Sequence, residues 1–224
     1  MPCLKIDGKE YVQAGAIMRH LGKVYGFGEY IRLFFLDNDI KFEDIRYDFN
    51  SKEWEDKKKT MIFGQMPCLK MDGKDYVQAG AIMRHLGKVH NLNGSNEDES
   101  FFLDMFNECV RDLRLKFAFF IYKDTETHDQ IVNKTLPEFL GKLEKLFKEH
   151  PGDFIIGNKI SYADYFLFEE LDVYHTFDKT ILDKFPDFKE FWERMWNRPH
   201  LKAYLEQRKK DKVWTHLVEK GSNY

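Results

Sequence analysis

A chain of 224 residues, 43% apolar and 16% aromatic, suits one or two globular domains with a sizeable core. Charged residues make up 33% and nearly balance to a net charge of −3, so no basic stripe argues for nucleic acid and no acidic tail for a solvating segment. No apolar run reaches the ~18 residues of a membrane span, no secretory signal pattern opens the chain, and three cysteines (Cys3, Cys68, Cys109) form no paired framework, so the expected setting is a reducing cytoplasm.

Residues 1–24 and 66–89 are near-copies that differ only at Ile6 against Met71 and Glu10 against Asp75. Two copies are too few for a solenoid, and residues 1–24 read as a duplicated hairpin–helix block. Residues 28–36 place Ile31, Phe34 and Phe35 on one face of a predicted helix that Asp37-Asn38-Asp39 ends. Residues 40–47 alternate and predict a strand; residues 51–60 predict a polar loop carrying Trp54 and the Lys57-Lys58-Lys59 run. Residues 63–80 then predict a hairpin and a helix start. Pro67 opens the first strand, where a missing N–H is tolerated, and Asp72-Gly73 makes the turn. Gln78-Ala79-Gly80 leads into a helix that ends near residues 91–94. Such an N-terminus offers free N–H groups and a positive dipole end, a natural seat for a carboxylate.

Beyond Asn93-Gly94 the periodicity becomes helical throughout. Leu103, Phe106, Val110, Leu113, Phe117 and Phe120 step by three or four along one long helix. Residues 136–147 predict another, with Pro137 at a kink or a start. Ser161 and Asp164 have capping-box spacing for a third, with Ile160 and Tyr165 placed for a hydrophobic staple. A last helical stretch runs from Phe185-Pro186 through Trp192 and Trp196 to Pro199 and on to Arg208. The eight histidines have no His-x-x-x-His or Cys-x-x-Cys companion, so no metal is expected.

The order helix, strand, loop, hairpin and helix, followed by an all-helical half, resembles the cytosolic glutathione transferases, nearest the sigma and pi classes. The resemblance covers roughly residues 28–210. It implies an α/β thioredoxin-like N-terminal domain followed by an all-α helical C-terminal domain. The expected divisions are 1–24 for the duplicated block, 25–92 for the glutathione-binding domain and 95–224 for the helical domain. It also implies a two-fold homodimer and no cofactor besides glutathione as co-substrate. The thiolate of glutathione would be conjugated to hydrophobic electrophiles, or lipid-peroxide-type substrates isomerised or reduced. A non-enzymatic ligand carrier or crystallin-like protein is the alternative, and a prostaglandin-synthase-like isomerase is a third reading that the sequence does not separate from a general transferase.

Residue by residue, Trp54 and Lys58 fall at the spacing of the family's contacts to the glycine carboxylate of glutathione; for Lys58, one of three solvated lysines is the competing reading. Gln65 and Met66 precede Pro67, which is cis in the family and turns the preceding backbone towards the cysteinyl peptide group. Cys68 reads as strand filler rather than nucleophile. Gln78 and Ala79 match the family's Gln-Ser pair at the γ-glutamyl carboxylate. Ala79 lacks the hydroxyl, and a lost charge-assisted hydrogen bond is worth roughly 1.5–3 kcal/mol, so weaker glutathione binding is expected. Asp112 matches an acid that reaches across the dimer to the γ-glutamyl ammonium; a helix charge paired with a neighbour is the alternative. Tyr122 matches a tyrosine of the electrophile pocket and equally continues the core stripe. For the tyrosine that stabilises the thiolate, an ungapped alignment gives Leu21, which cannot donate. A four-residue deletion gives Tyr25, the candidate catalytic residue.

Overall fold

The computed structural model describes residues 26–45, 47, 51–71, 73–123 and 126–210, together with the strands Cys3–Ile6 and Lys9–Val12. Two compact units emerge, Met1–His85 with Pro199–His216 and Leu86–Arg198 with Leu217–Tyr224.

The first unit holds one antiparallel sheet in the order β1 (Cys3–Ile6), β2 (Lys9–Val12), β3 (Cys68–Met71), β4 (Lys74–Val77). The strands of the two near-copies therefore pair in the same way. In the second, Cys68 stands opposite Val77 and Met71 opposite Lys74. The turn between them needs Gly73, whose φ of +73° an L side chain rarely adopts. Helix α1 (Glu29–Asp37) lies where its apolar pattern predicts, with Ile31, Leu33, Phe34 and Phe35 buried.

Two expectations for this unit need correction. Residues 40–45 belong to no strand of the sheet. Their alternation records which side chains face inward, not a ladder. Phe42 meets the Phe35 ring at 5.5 Å, and Ile45 and Tyr47 pack on the cluster around Trp54. Residues 51–60 are not a loop but hold α2 (Lys52–Lys59). Ser51 caps this helix by accepting the Trp54 N–H at 3.1 Å. Glu53 and Glu55 lie in the first turn and Lys57, Lys58 and Lys59 in the last, the charge order a helix dipole favours. One buried side chain, Trp54, anchors an otherwise polar helix.

Helix α3 (Ala79–Val89) follows the hairpin directly. At the other end of the chain, the predicted last stretch breaks at Pro199 into α8 (Pro186–Trp196) and α9 (Pro199–Lys210). Proline has no N–H for the helical ladder and is at home in a first turn. Helix α9 packs on α1 within the first unit. A charge network joins them. The Glu29 carboxylate accepts from Tyr204 Oη at 2.6 Å and from an Arg208 guanidinium nitrogen at 2.8 Å, and Arg32 pairs with it as well. Arg32 also grips Asp44 with two nitrogens, at 3.1 and 3.3 Å. Glu29, Arg32 and Arg208 are all buried.

The second unit is helical: α4 (Glu97–Lys123), α5 (His128–Gln130), a π-helical turn Ile131–Thr135, α6 (Leu136–Phe147), α7 (Tyr162–Phe177), a 3₁₀ turn Ile181–Lys184 and α8. The α4 stripe Leu103, Phe106, Val110, Leu113, Phe117 and Phe120 is buried throughout. Pro137 is the second residue of α6, directly after the π-helical turn, in a helical run continuous from His128. Helix α7 is buried on nearly every side. Two of its buried acids are matched: Glu170 takes Arg114 at 2.9 Å and the Tyr174 hydroxyl at 3.0 Å, and Asp172 accepts the indole N–H of Trp192 and Trp196. Ser161 and Asp164 form the expected capping box. The Asp164 carboxylate accepts from Ser161 N and Oγ, each at 2.7 Å, and from Ile155 N at 3.0 Å. Complete burial nevertheless pushes its pKa up to about 6, against the pull of those donors. Among the described residues no helix is long and apolar enough to cross a membrane.

Candidate functional site

The residues expected to hold glutathione come from three pieces of the first unit: α2, the loop into β3, and the start of α3. What draws the pieces together is a small buried cluster of Trp54, Met61, Met66 and Cys68, with Val77 packed against it. Trp54 thereby ties α2 to the residue before Pro67, and Val77 ties in Gln78, which follows it.

Residues 61–65 fold back on the end of α2. Met61 N donates to Lys58 O at 3.3 Å and Gly64 N to Met61 O at 3.2 Å. Gly64 has a φ of +56°, and a Cβ there would meet Lys58 Cγ at 3.3 Å, so only glycine fits without displacement. The stem of Lys58 thus lies beside the residue preceding Gln65, with its side chain in the exposed class. The Met66–Pro67 peptide is cis.

Gln78 sits between β4 and α3 with a φ of +71°. For a residue that is not glycine this is a sparsely populated conformation, costing on the order of 1–3 kcal/mol, which the surrounding hairpin and helix must offset. Its carbonyl accepts the Ile82 N–H at 3.0 Å as the first bond of α3, and its side chain is exposed. The first N–H groups of α3, from Ala79 onward, have no partner in their own helix, and Ala79 itself is buried. An exposed amide beside a helix N-terminus can receive a carboxylate.

Cys68 does not compete as a nucleophile. Burial, with Asp75 adding to it, pushes its thiol up to about 12, so it is a thiol at neutral pH. Cys109, on α4, is likewise raised by desolvation and then by Asp112 and Glu108.

Asp112 and Tyr122 lie on α4, in the second unit. Asp112 is exposed, and its neighbour Arg111 pairs with Glu108 at 3.0 Å. The backbone of Tyr122 belongs to the last turn of α4. Tyr25 and Leu21, the two candidates for the thiolate stabiliser, lie outside the described residues, as does Gln13, the counterpart of Gln78 in the duplicate. Among the described residues no group of three or more His, Cys, Asp or Glu is placed to hold a metal.

Sequence reasoning missed the Glu29–Arg32–Asp44–Tyr204–Arg208 network. The signal was available: a Glu and an Arg three apart inside the apolar run of residues 29–36, an arrangement a buried helix tolerates only when both charges find partners. The left-handed backbone of Gln78 carried no such signal, since the residue is not Gly, Asn or Asp.

Comparison with known proteins agrees with this architecture. Residues 111–208 match the family profile described as glutathione S-transferase, C-terminal domain. The chain is 68% identical over 200 residues to Glutathione S-transferase P 10 of Caenorhabditis elegans, covering 89% of this chain and 95% of that one. It is 48% identical over 196 residues to Glutathione S-transferase 2 of Onchocerca volvulus, covering 85% and 92%. The solved structure of the Onchocerca volvulus pi-class glutathione S-transferase superposes with a TM-score of 0.79 at 47% identity, over 85% of this chain and 92% of that one. On these grounds the chain belongs to the glutathione S-transferases, in their pi- and sigma-like group.

Proposed function

We propose that this protein conjugates the thiolate of glutathione to hydrophobic electrophiles, with residues 25–92 supplying the glutathione site and residues 95–224 the helical domain. The observation that carries the reading is the placement of Gln78. It stands at the N-terminus of α3, one residue past a strand packed on the same cluster as Trp54 and Met66, in a chain of this family.

In this reading Trp54 and Lys58 bind the glycine end of glutathione, and Gln65 lines the site ahead of Met66 and Pro67. The Met66 backbone, ahead of Pro67, pairs with the cysteinyl peptide group. Gln78 and the α3 N–H groups hold the γ-glutamyl carboxylate, with no hydroxyl from Ala79. Tyr25 donates to the thiolate and lowers the thiol pKa, each unit being worth ~1.4 kcal/mol. The sulfur then attacks the electrophilic carbon, expelling its leaving group with the bonding electrons or adding to its activated double bond with a proton taken up from water, and Tyr122 lines the electrophile's pocket. Glutathione is the only co-substrate, no metal takes part, and the setting is the cytoplasm. The names of the relatives count against a non-enzymatic carrier.

The working form is a two-fold homodimer in which Asp112 of one protomer approaches the γ-glutamyl ammonium in its partner's site. Supporting this, each unit exposes large apolar side chains. Ile62 and Phe63 in the first are 62% and 63% exposed, and Phe101 and Phe119 on α4 are 70% and 57% exposed. Light scattering at assay concentration tests it: a monomer near the 26.9 kDa chain mass rejects both the dimer and the role of Asp112.

The site itself is tested by retention on glutathione resin followed by a conjugation assay. Gln78→Ala should abolish retention and Gln13→Ala should leave it intact, because Gln78 is the one of the two that follows Trp54 and Lys58 at the family's spacing. Equal losses from both changes reject the assignment.

A further inference from the structure

The near-copies do more in the fold than repeat a motif. Strand β2 ends the first hairpin, β3 begins the second, and the two pair antiparallel with Val12 opposite Cys68. The chain thus already joins one hairpin to its own near-duplicate. Strands β1 and β3 read Cys-Leu-Lys-Ile and Cys-Leu-Lys-Met; β2 and β4 read Lys-Glu-Tyr-Val and Lys-Asp-Tyr-Val. Among the described residues the sheet order leaves β1 and β4 as its two edges. The free side of β4 therefore repeats the side of β2 that receives β3, and the free side of β1 repeats the side of β3 that receives β2.

We propose that the β4 edge receives the β1 edge of a second copy of this chain, reproducing between molecules the β2–β3 pairing made within one. This inference stands apart from the glutathione reading and from the two-fold dimer. The copies run 65 positions apart (Cys3 and Cys68, Val12 and Val77), so the observed register sets Val77 opposite Cys3 of the neighbouring molecule. Extending this single observed pair by two residues in the antiparallel sense would put Asp75 opposite Lys5 of the neighbour, a favourable cross-strand charge pair. The contact is head-to-tail: each added molecule presents a fresh β4 edge, so association is open-ended unless the rotation closes a ring. Edge strands of four residues carrying Lys5 and Lys74 make it a weak, concentration-dependent contact, since short edges and edge lysines restrain pairing.

Engineered disulfides test the register. Residues opposite each other in an antiparallel pair have Cα atoms ~4.5–5.5 Å apart, within disulfide reach. Within one molecule β1 and β4 are three strand spacings apart, ~14 Å, beyond that reach. A Val77→Cys chain that also carries Cys68→Ala and Cys109→Ala keeps Cys3 as its one other thiol. Oxidation with copper–phenanthroline should give a ladder of disulfide-linked dimers, trimers and larger species on a non-reducing gel. The ladder should fade on dilution and vanish when Cys3→Ala is added. In parallel, Val12→Cys with Cys3→Ala and Cys109→Ala should close onto Cys68 within the monomer, read as loss of two hydrogens by mass. Three results overturn the proposal: no ladder at hundreds of micromolar while the Val12 control closes, a ladder that survives Cys3→Ala, or a control that fails to close.

Discussion

Replacing Arg208 with Met should destabilise the first unit more than any exposed charge deletion in the chain. Arg208 and Glu29 have side chains only 3% exposed each, and their nitrogen and oxygen lie 2.8 Å apart. Methionine keeps much of the stem's packing volume and removes the charge. The loss is not shared out harmlessly among the remaining partners. Arg32, the other cation on Glu29, is already committed to Asp44, so two carboxylates would share one guanidinium. Removing one member of a buried ion pair costs ~3–5 kcal/mol, because the other charge stays buried and undercompensated. At ~2–4 °C per kcal/mol for a chain of this length, the melting temperature should fall on the order of 6–20 °C. Urea unfolding followed by circular dichroism measures the free energy, and calorimetry the temperature. Pairing the change with Glu29→Gln should recover part of the loss, since the orphaned charge is gone, with a coupling of ~0.5–3 kcal/mol. The exposed Lys142–Glu138 pair is the control, and Lys142→Met there should leave the midpoint unchanged. An Arg208→Met midpoint within about 0.5 kcal/mol of the parent would refute the reasoning and show that Tyr204 and Arg32 satisfy Glu29 by themselves.

Ala79→Ser restores a hydroxyl at the start of α3, and KM for glutathione should drop about tenfold, the equivalent of ~1.4 kcal/mol; an unchanged or higher KM removes Ala79 from the γ-glutamyl contact. Tyr25→Phe should cut conjugation turnover by about an order of magnitude or more while retention on glutathione resin persists; full turnover would show that another group stabilises the thiolate. Asp164 supplies a pH test. Its folded pKa of about 6 lies above an unfolded value of ~3.9, so the folded chain holds the extra proton between them. The resulting stabilisation is full below about pH 4, is lost as pH rises through about 6, and spans on the order of 3 kcal/mol. Urea midpoints of the parent should therefore gain on those of Asp164→Asn as pH falls from 7 to 4, and a difference that stays flat across that range contradicts the shift.

The sequence by itself determined the elements whose signals are local. The hairpin of β3 and β4 follows from Pro67, the Asp72-Gly73 turn and two short runs; α4 follows from six apolar residues at helical spacing; the α7 cap follows from Ser161 and Asp164 three apart. The near-identity of residues 1–24 and 66–89 likewise foretold two hairpins of one kind. Tertiary structure decided the rest, because partners distant in sequence settle it. Residues 40–45 alternate like a strand, yet strand identity requires a neighbour to donate and accept hydrogen bonds, and the sheet places β2 beside β3 instead. Helix α2 is too short and too polar for apolar periodicity to register, and it holds because Trp54 finds Met61, Met66 and Cys68. The Glu29 carboxylate depends on Tyr204 and Arg208, which approach it only once α9 packs on α1. The site follows the same division. Residue types at Trp54, Lys58, Gln65 and Gln78 were legible as a pattern, whereas the positive φ at Gln78 and the fold of residues 61–65 over Lys58 arise only when the hairpin and two helices close on one cluster.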